Sequence, residues 1–146
     1  MLTKHSNIVN NGRFVGDRMR LTPRDIICCP PPLFHCFGLV LGLVAVFTHG
    51  SCIVFPSETF KPASVLKAVA EEHCTGLHGV PAMFSAELEL HKANLKSIDF
   101  SSLRKGIAAG SPISRKMMAE LQDGFNMTET TITYGKREHE AYLSYK

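Results

Sequence analysis

The segment at 126–140, NMTETTITYGKREHE, twice places the residue types that handle phosphate. Met127-Thr128-Glu129 is the first copy, and Tyr134-Gly135 with Glu138 three residues further on is the second. A hydroxyl can bind a phosphate oxygen and a carboxylate can hold the accompanying divalent cation. Other residues with chemical capacity stand elsewhere: His35 in PPPLFHCFG, and the small and polar residues of AAGSPIS at 108–114. Which of these can act together depends on the elements that carry them.

Apolar runs bounded by prolines and glycines mark five strands: DIICC at 25–29, SCIVF at 51–55, TGLHGV at 75–80, LRKGIAAG at 103–110 and TTITYG at 130–135. Helical segments separate them. Thr3 can cap a helix with the inner stripe Ile8, Gly12, Val15 and Met19, which must stop before Pro23. The apolar run 36–47, CFGLVLGLVAVF, reads as a core helix enclosed on every side, with Gly38 and Gly42 spaced to let it approach a sheet closely. Pro62 opens a helix with Val65, Leu66, Val69 and Ala70 on one face. Pro81 starts a short helix carrying Phe84 and Leu88, and Ser114 caps one that runs to about Phe125, with Ile113 and Met118 as a hydrophobic staple.

Strands that are apolar on both faces and alternate with helices predict an α/β fold: a parallel sheet of about five strands with helices on both faces. Ligands in such sheets sit beyond the carboxyl ends of the strands. The residues to inspect are therefore 30–37, 79–83, 109–114 and 134 onward. This geometry separates the two phosphate-type copies. Met127-Thr128-Glu129 precedes its strand, roughly 20 Å from the far end at about 3.3 Å per residue. Only Tyr134-Gly135 stands at the ligand end.

Composition narrows the function classes. With 146 residues, 45% of them hydrophobic and 20% charged, the chain has the makeup of one soluble globular domain with a core. A net charge of +3 from scattered lysines and arginines offers no basic face for nucleic acid. The five cysteines, at 28, 29, 36, 52 and 74, form neither a disulfide framework nor a C-x-x-C zinc site, which suits a reducing intracellular compartment. His73, Cys74 and His78 fit no common metal spacing, and no metal is assigned. The longest apolar run has 12 residues, against roughly 20 for a membrane span. No apolar signal region opens the chain, and Ser-Tyr-Lys at its end is not the peroxisomal Ser-Lys-Leu, so a cytoplasmic site is expected over a peroxisomal one.

The strand ends carry PPPLFHCFG, HGVPAMF, AAGSPIS and TYG in that order, and in that order they resemble the AMP-forming acyl-CoA ligases, the adenylating family that includes fatty-acyl-CoA synthetases. The resemblance runs from about Leu2 to Gly135. It implies a partial adenylation domain at 1–135 and an unrelated tail at 136–146. It also implies a parent reaction in which ATP and Mg2+ convert a carboxylic acid to acyl-AMP with release of pyrophosphate, after which the acyl group passes to coenzyme A. By the same resemblance His35 faces the reacting carboxylate, while Ala109, Gly110, Ser111 and Pro112 lie along the nucleotide. Tyr134 and Gly135 belong to the adenine motif. Phe34, Phe37, Gly79, Val80, Pro81 and Met83 line the acyl channel and suggest a fatty or other hydrophobic acid.

The family motif is Tyr-Gly-x-Thr-Glu, and here Arg137 stands where the threonine belongs, so the match at Glu138 is taken as chance. The family's Ser-, Thr- and Gly-rich phosphate loop, its ribose-binding aspartate and the catalytic lysine of its C-terminal domain have no counterparts in these 146 residues. Three readings stay open: a truncated ligase-like chain inactive alone, a non-catalytic acyl- or adenylate-binding or regulatory module that pairs with a complementary ligase fragment or full-length relative, and a chain that folds poorly and has no function.

Overall fold

The computed structural model describes residues 4–93 and 98–134, together with the backbone of 143–145. The elements follow the order α1 (His5–Met19), β1 (Ile26–Cys28), a π-helix (Phe37–Val44) running straight into α2 (Ala45–Thr48), β2 (Cys52–Val54), α3 (Pro62–Glu71), β3 (Gly76–Gly79), α4 (Pro81–Ala93), β4 (Lys105–Ala108), α5 (Arg115–Phe125), β5 (Glu129–Tyr134) and β6 (Leu143–Tyr145).

The sheet order is β2-β1-β3-β4-β5-β6. The first five strands pair in parallel, as expected, and β6 adds an antiparallel edge through Ile132 opposite Tyr145 and Tyr134 opposite Leu143. Because β1 sits between β2 and β3, the chain reverses its direction of travel across the sheet there, and a crevice opens beyond the carboxyl ends of these strands.

Helices cover both faces. On one side Val15, Met19, Phe37, Leu41, Ala45 and Val46 pack on Ile27 and Ile107. On the other, Val65, Leu66, Val69, Phe84, Leu88, Leu121 and Phe125 pack on Cys28 and Leu77. Each fully buried leucine or phenylalanine here contributes roughly 1.5–3 kcal/mol. Alternate residues of a strand supply opposite layers, so Ile27 and Cys28 belong to different cores.

Local signals hold in several places. Ser114 Oγ accepts the Met117 N–H at 3.1 Å, Pro62 occupies the first turn of α3, and Asn126 ends α5 in a left-handed conformation. Ile113 packs against the α3–α5 core as expected, but the methionine packed there with it is Met117 rather than Met118. Gly42 brings its helix so close to β1 that a Cβ there would lie 2.6 Å from Cys29 Sγ.

Thr3, expected to cap α1, lies outside the described residues, and the helix opens at Lys4 without a side-chain cap. Other expectations change. The helix after Pro81 is 13 residues long rather than short. The stretch 36–47 is π-helical over most of its length, with the Ala45 N–H reaching back five residues to the Val40 carbonyl. Nor is it enclosed on every side, since Leu39 and Phe47 are exposed.

At the amino ends of the strands a polar lock replaces apolar packing. The carboxylate of buried Asp25 accepts from the Thr22 N–H at 2.8 Å, the Thr22 hydroxyl at 2.9 Å and the Thr75 hydroxyl at 2.9 Å, and it pairs with Arg104 and with Lys105 at 3.3 Å. Lys105 also donates to the Arg20 carbonyl at the end of α1. The lock therefore joins α1, β1, β3 and β4.

Phe34, Phe47 and Phe14 are 93%, 69% and 65% exposed, and β2 forms an edge of the sheet. Exposed aromatics and a strand edge promote association. The 146-residue polypeptide is accordingly expected to sediment at micromolar concentration as a soluble oligomer; a monodisperse monomer would refute this.

Candidate functional site

A cavity of about 640 Å³ opens beyond the carboxyl ends of β1, β3, β4 and β5. Its walls come from the four strand-end segments. After β1, the prolines at 30–32 cannot continue a ladder and turn the chain out of the sheet. The His35 N–H then bonds the Pro32 carbonyl at 3.1 Å, and the Leu39 N–H bonds the His35 carbonyl at 3.0 Å, which starts the helix. Phe34, His35, Cys36 and Phe37 consequently stand at the cavity.

The ring of His35 is exposed, and its Nδ1 accepts the Phe37 N–H at 3.0 Å. Cys36 Sγ lies 3.8 Å from the same nitrogen. In the neutral ring the proton is therefore on Nε2, which makes that nitrogen a donor. Across the cavity, Val80 and Met83 form a half-buried apolar wall where β3 passes into α4.

After β4 the chain turns through Gly110, whose φ of +89° is a conformation that side chains rarely adopt. A Cβ there would also lie 2.9 Å from Val80 Cγ1. Glycine thus lets Ala109, Ser111 and Pro112 follow the cavity edge before α5 begins. Tyr134, at the end of the neighbouring strand β5, presents an exposed aromatic ring at the cavity.

The structure brings His35, Phe34, Phe37, Val80, Met83, Ala109, Gly110, Ser111, Pro112 and Tyr134 around one cavity. Two expected channel residues are not in its wall. Gly79 is a strand position facing the α4 layer, where a Cβ would lie 3.0 Å from the Phe84 ring, and Pro81 is the first residue of α4. Gly135, Arg137 and Glu138 lie outside the described residues. Thr128 and Glu129 are at the beginning of β5, away from the cavity.

Leu41, Ile132 and Thr133 line the cavity without having been singled out. Leu41 stands one helical turn after Phe37, a spacing that could have suggested it. Thr133 directly precedes Tyr134; it is buried, and its hydroxyl has no hydrogen-bond partner among the described residues.

Chemically, this is an apolar chamber with polar groups on its margin. Apart from the His35 imidazole, no acidic or basic side chain lines it among the described residues. The aliphatic and aromatic walls fit an acyl chain, and the Tyr134 ring fits a stacked planar base. The described lining carries the Ser111 and Thr133 hydroxyls but no lysine, arginine or carboxylate, the groups that neutralise a triphosphate or hold Mg2+.

An open parallel sheet with a cavity at its chain reversal defines the class, an α/β ligand-binding domain. More specifically, the chain belongs to the AMP-binding enzyme family, whose model matches residues 1–144. It is similar to the acyl-CoA ligase sidI of Aspergillus fumigatus, with 61% identity over 138 residues, and to the acyl-CoA ligase SID4 of Ajellomyces capsulatus, with 57% identity over 138 residues. Each match covers 94% of this chain and 23% of the relative, so the chain spans about a quarter of those relatives' length.

Among solved structures, ATP-bound MatB from Rhodopseudomonas palustris superimposes with a TM-score of 0.78 at 25% identity, covering 97% of this chain and 27% of that one. A benzoate CoA ligase from Burkholderia xenovorans shares the fold with a TM-score of 0.83 at 20% identity, covering 97% and 29%. The five-stranded parallel sheet flanked by helices is that of adenylating enzymes.

Proposed function

We propose that this chain supplies the acyl- and adenine-binding side of an acyl-CoA ligase, and that the acid it accommodates is a fatty or other hydrophobic carboxylic acid. The observation that carries this reading is the convergence of four separate strand-end segments on one cavity, with an apolar interior and with His35 and Tyr134 on its margin.

The roles follow from the chemistry of each group. Phe37, Leu41, Val80 and Met83 exclude water from the acyl chain. Tyr134 stacks on the base. The Nε2–H of His35 donates to an oxygen of the carboxylate or of the acyl phosphate, and the Phe37 N–H keeps the ring in the required tautomer. ATP and Mg2+ supply the adenylating chemistry in the family, and coenzyme A takes the acyl group.

Adenylation itself requires preorganised charge around the phosphates, and the described lining provides none. The 146-residue polypeptide is therefore expected to bind a preformed acyl-adenylate but not to make one. A complementary ligase segment or full-length relative is the partner proposed to supply the phosphate and metal contacts.

The test has two arms. Calorimetric titration with a sulfamate analogue of decanoyl-AMP should show binding, weakened about tenfold by His35→Ala, the loss expected for one hydrogen bond to a charged ligand. Acid-dependent exchange of labelled pyrophosphate into ATP should stay at the level of a boiled control. Exchange above that level would overturn the proposed inactivity, and absence of analogue binding would overturn the site.

A further inference from the structure

The π-helix that forms one cavity wall is contacted by a residue outside the cavity. In an α-helix the Ala45 N–H would bond the Leu41 carbonyl, four residues back. Here it turns to Val40 and Gly42 instead. The Leu41 carbonyl thus does not receive the Ala45 N–H, and its two lone pairs leave room for a side-chain donor. His78 provides it: Nε2 of this β3 residue stands 3.3 Å from the Leu41 oxygen.

Two further observations bear on the same ring. Its centroid lies 5.9 Å from that of Phe37, with the planes inclined at 31°. The imidazole is fully buried, its Nδ1 has no partner among the described residues, and burial pushes its pKa down to about 4. At neutral pH the ring is thus uncharged and carries a single proton, and the contact with Leu41 requires that proton on Nε2. Phe37 and Leu41 both line the cavity, whereas His78 does not. The imidazole touches the two wall residues from behind, at a π-helical turn of the kind often found at functional sites.

We propose that His78 is a positioning residue: its Nε2–H bond to the Leu41 carbonyl holds segment 37–44 in the π register and thereby sets Phe37 and Leu41 against the acyl part of the ligand. The effect on the ligand rests on the acyl-pocket reading above. The effect on the helix does not, which allows the two to fail separately.

The experiment compares the 146-residue protein with His78→Phe, which keeps ring volume but removes the donor, and His78→Gln, which keeps an N–H donor on a side chain of similar reach. In the unmodified protein, long-range 1H–15N spectra at pH 7 should show His78 protonated on Nε2 with a bare Nδ1. Amide exchange at Ala45 and its neighbours should accelerate about tenfold in His78→Phe and return towards the original rate in His78→Gln. The decanoyl-AMP sulfamate should bind His78→Phe about tenfold more weakly, with AMP unaffected.

An Nδ1-protonated tautomer, or unchanged exchange in His78→Phe, would overturn the proposal. Equal weakening of AMP and the acyl analogue would overturn its acyl-specific part. If His78→Phe does not fold, the tautomer and the exchange pattern of His78→Gln decide. Should neither ligand bind the unmodified protein, exchange and tautomer still decide the role of His78, and the pocket reading alone has failed.

Discussion

Replacing Asp25 by Asn is expected to lower stability at pH 7 by about 3–5 kcal/mol, the usual result of leaving a buried charge without its partner. Lys105 is the group left behind: its side chain is only 5% exposed and its Nζ lies 3.3 Å from the carboxylate. Asparagine preserves the shape and one acceptor, but it cannot match the three hydroxyl and amide donors or the two cations around Asp25.

Burial of Asp25 acts to raise its pKa, but the hydrogen bonds from Thr75 and Thr22 and the charge of Lys105 outweigh it, and the carboxyl titrates below its ordinary value of 3.8. A depressed carboxyl stabilises the fold above the unfolded-state pKa and loses that contribution as pH falls through the folded-state value. Urea midpoints should therefore drop below about pH 4 in the unmodified protein. In Asp25→Asn this part of the drop should be absent. Equal midpoints for the two proteins at pH 7 would show that the lock contributes nothing.

Glu87→Gln should have the opposite effect, stabilising the protein by about 3 kcal/mol at pH 7. Glu87 is fully buried in α4, neither carboxylate oxygen has a hydrogen-bond partner among the described residues, and burial raises its pKa from 4.5 to about 8. The folded state therefore keeps a proton that the unfolded state releases above pH 4.5. Stability must fall as pH rises through that window, by about 1.4 kcal/mol per unit, and level off above about pH 8.

Glutamine removes the titration while keeping a neutral side chain of similar size. The gain should consequently be near zero at pH 4.5, and at neutral pH it should raise the melting temperature by about 10 °C in a chain of this length. A parallel pH dependence in the two proteins would show that Glu87 is hydrated or paired in solution. Taken with the Asp25 result, the unmodified protein should be most stable between about pH 4 and 5.

Much of the fold was legible because its signals are local. Prolines at 30–32, 62 and 81 mark where strands end and helices begin, and the Ser114 cap satisfies an N–H only three residues away. Period and punctuation were enough for five parallel strands, for their sequence of helices, and for the rule that ligand residues stand after the strands. That rule gave the stretches 30–37, 109–114 and 134 onward, and the resemblance to the acyl-CoA ligases singled out His35, Ala109 to Pro112 and Tyr134 within them.

What the sequence left open depends on contacts between residues far apart in the chain. Apolarity cannot distinguish an α-helix from a π-helix at 37–44, because the register is tied to His78, which lies 37 positions from Leu41. Nor could composition show that Glu87 would turn inward while Glu89, two residues on, stays exposed. Asp25 became the centre of a lock only when parallel pairing placed Thr75, Arg104 and Lys105 beside it.

The cavity divides in the same way. Its edges were readable because each lies immediately after a strand, but Gly79 and Pro81 are not in its wall, whereas Leu41 and Thr133 are. The order of the elements and the chemical kinds at their ends are written along the chain. Which side of each element faces the ligand depends instead on how strands register and how closely helices approach the sheet, both of which arise only on folding.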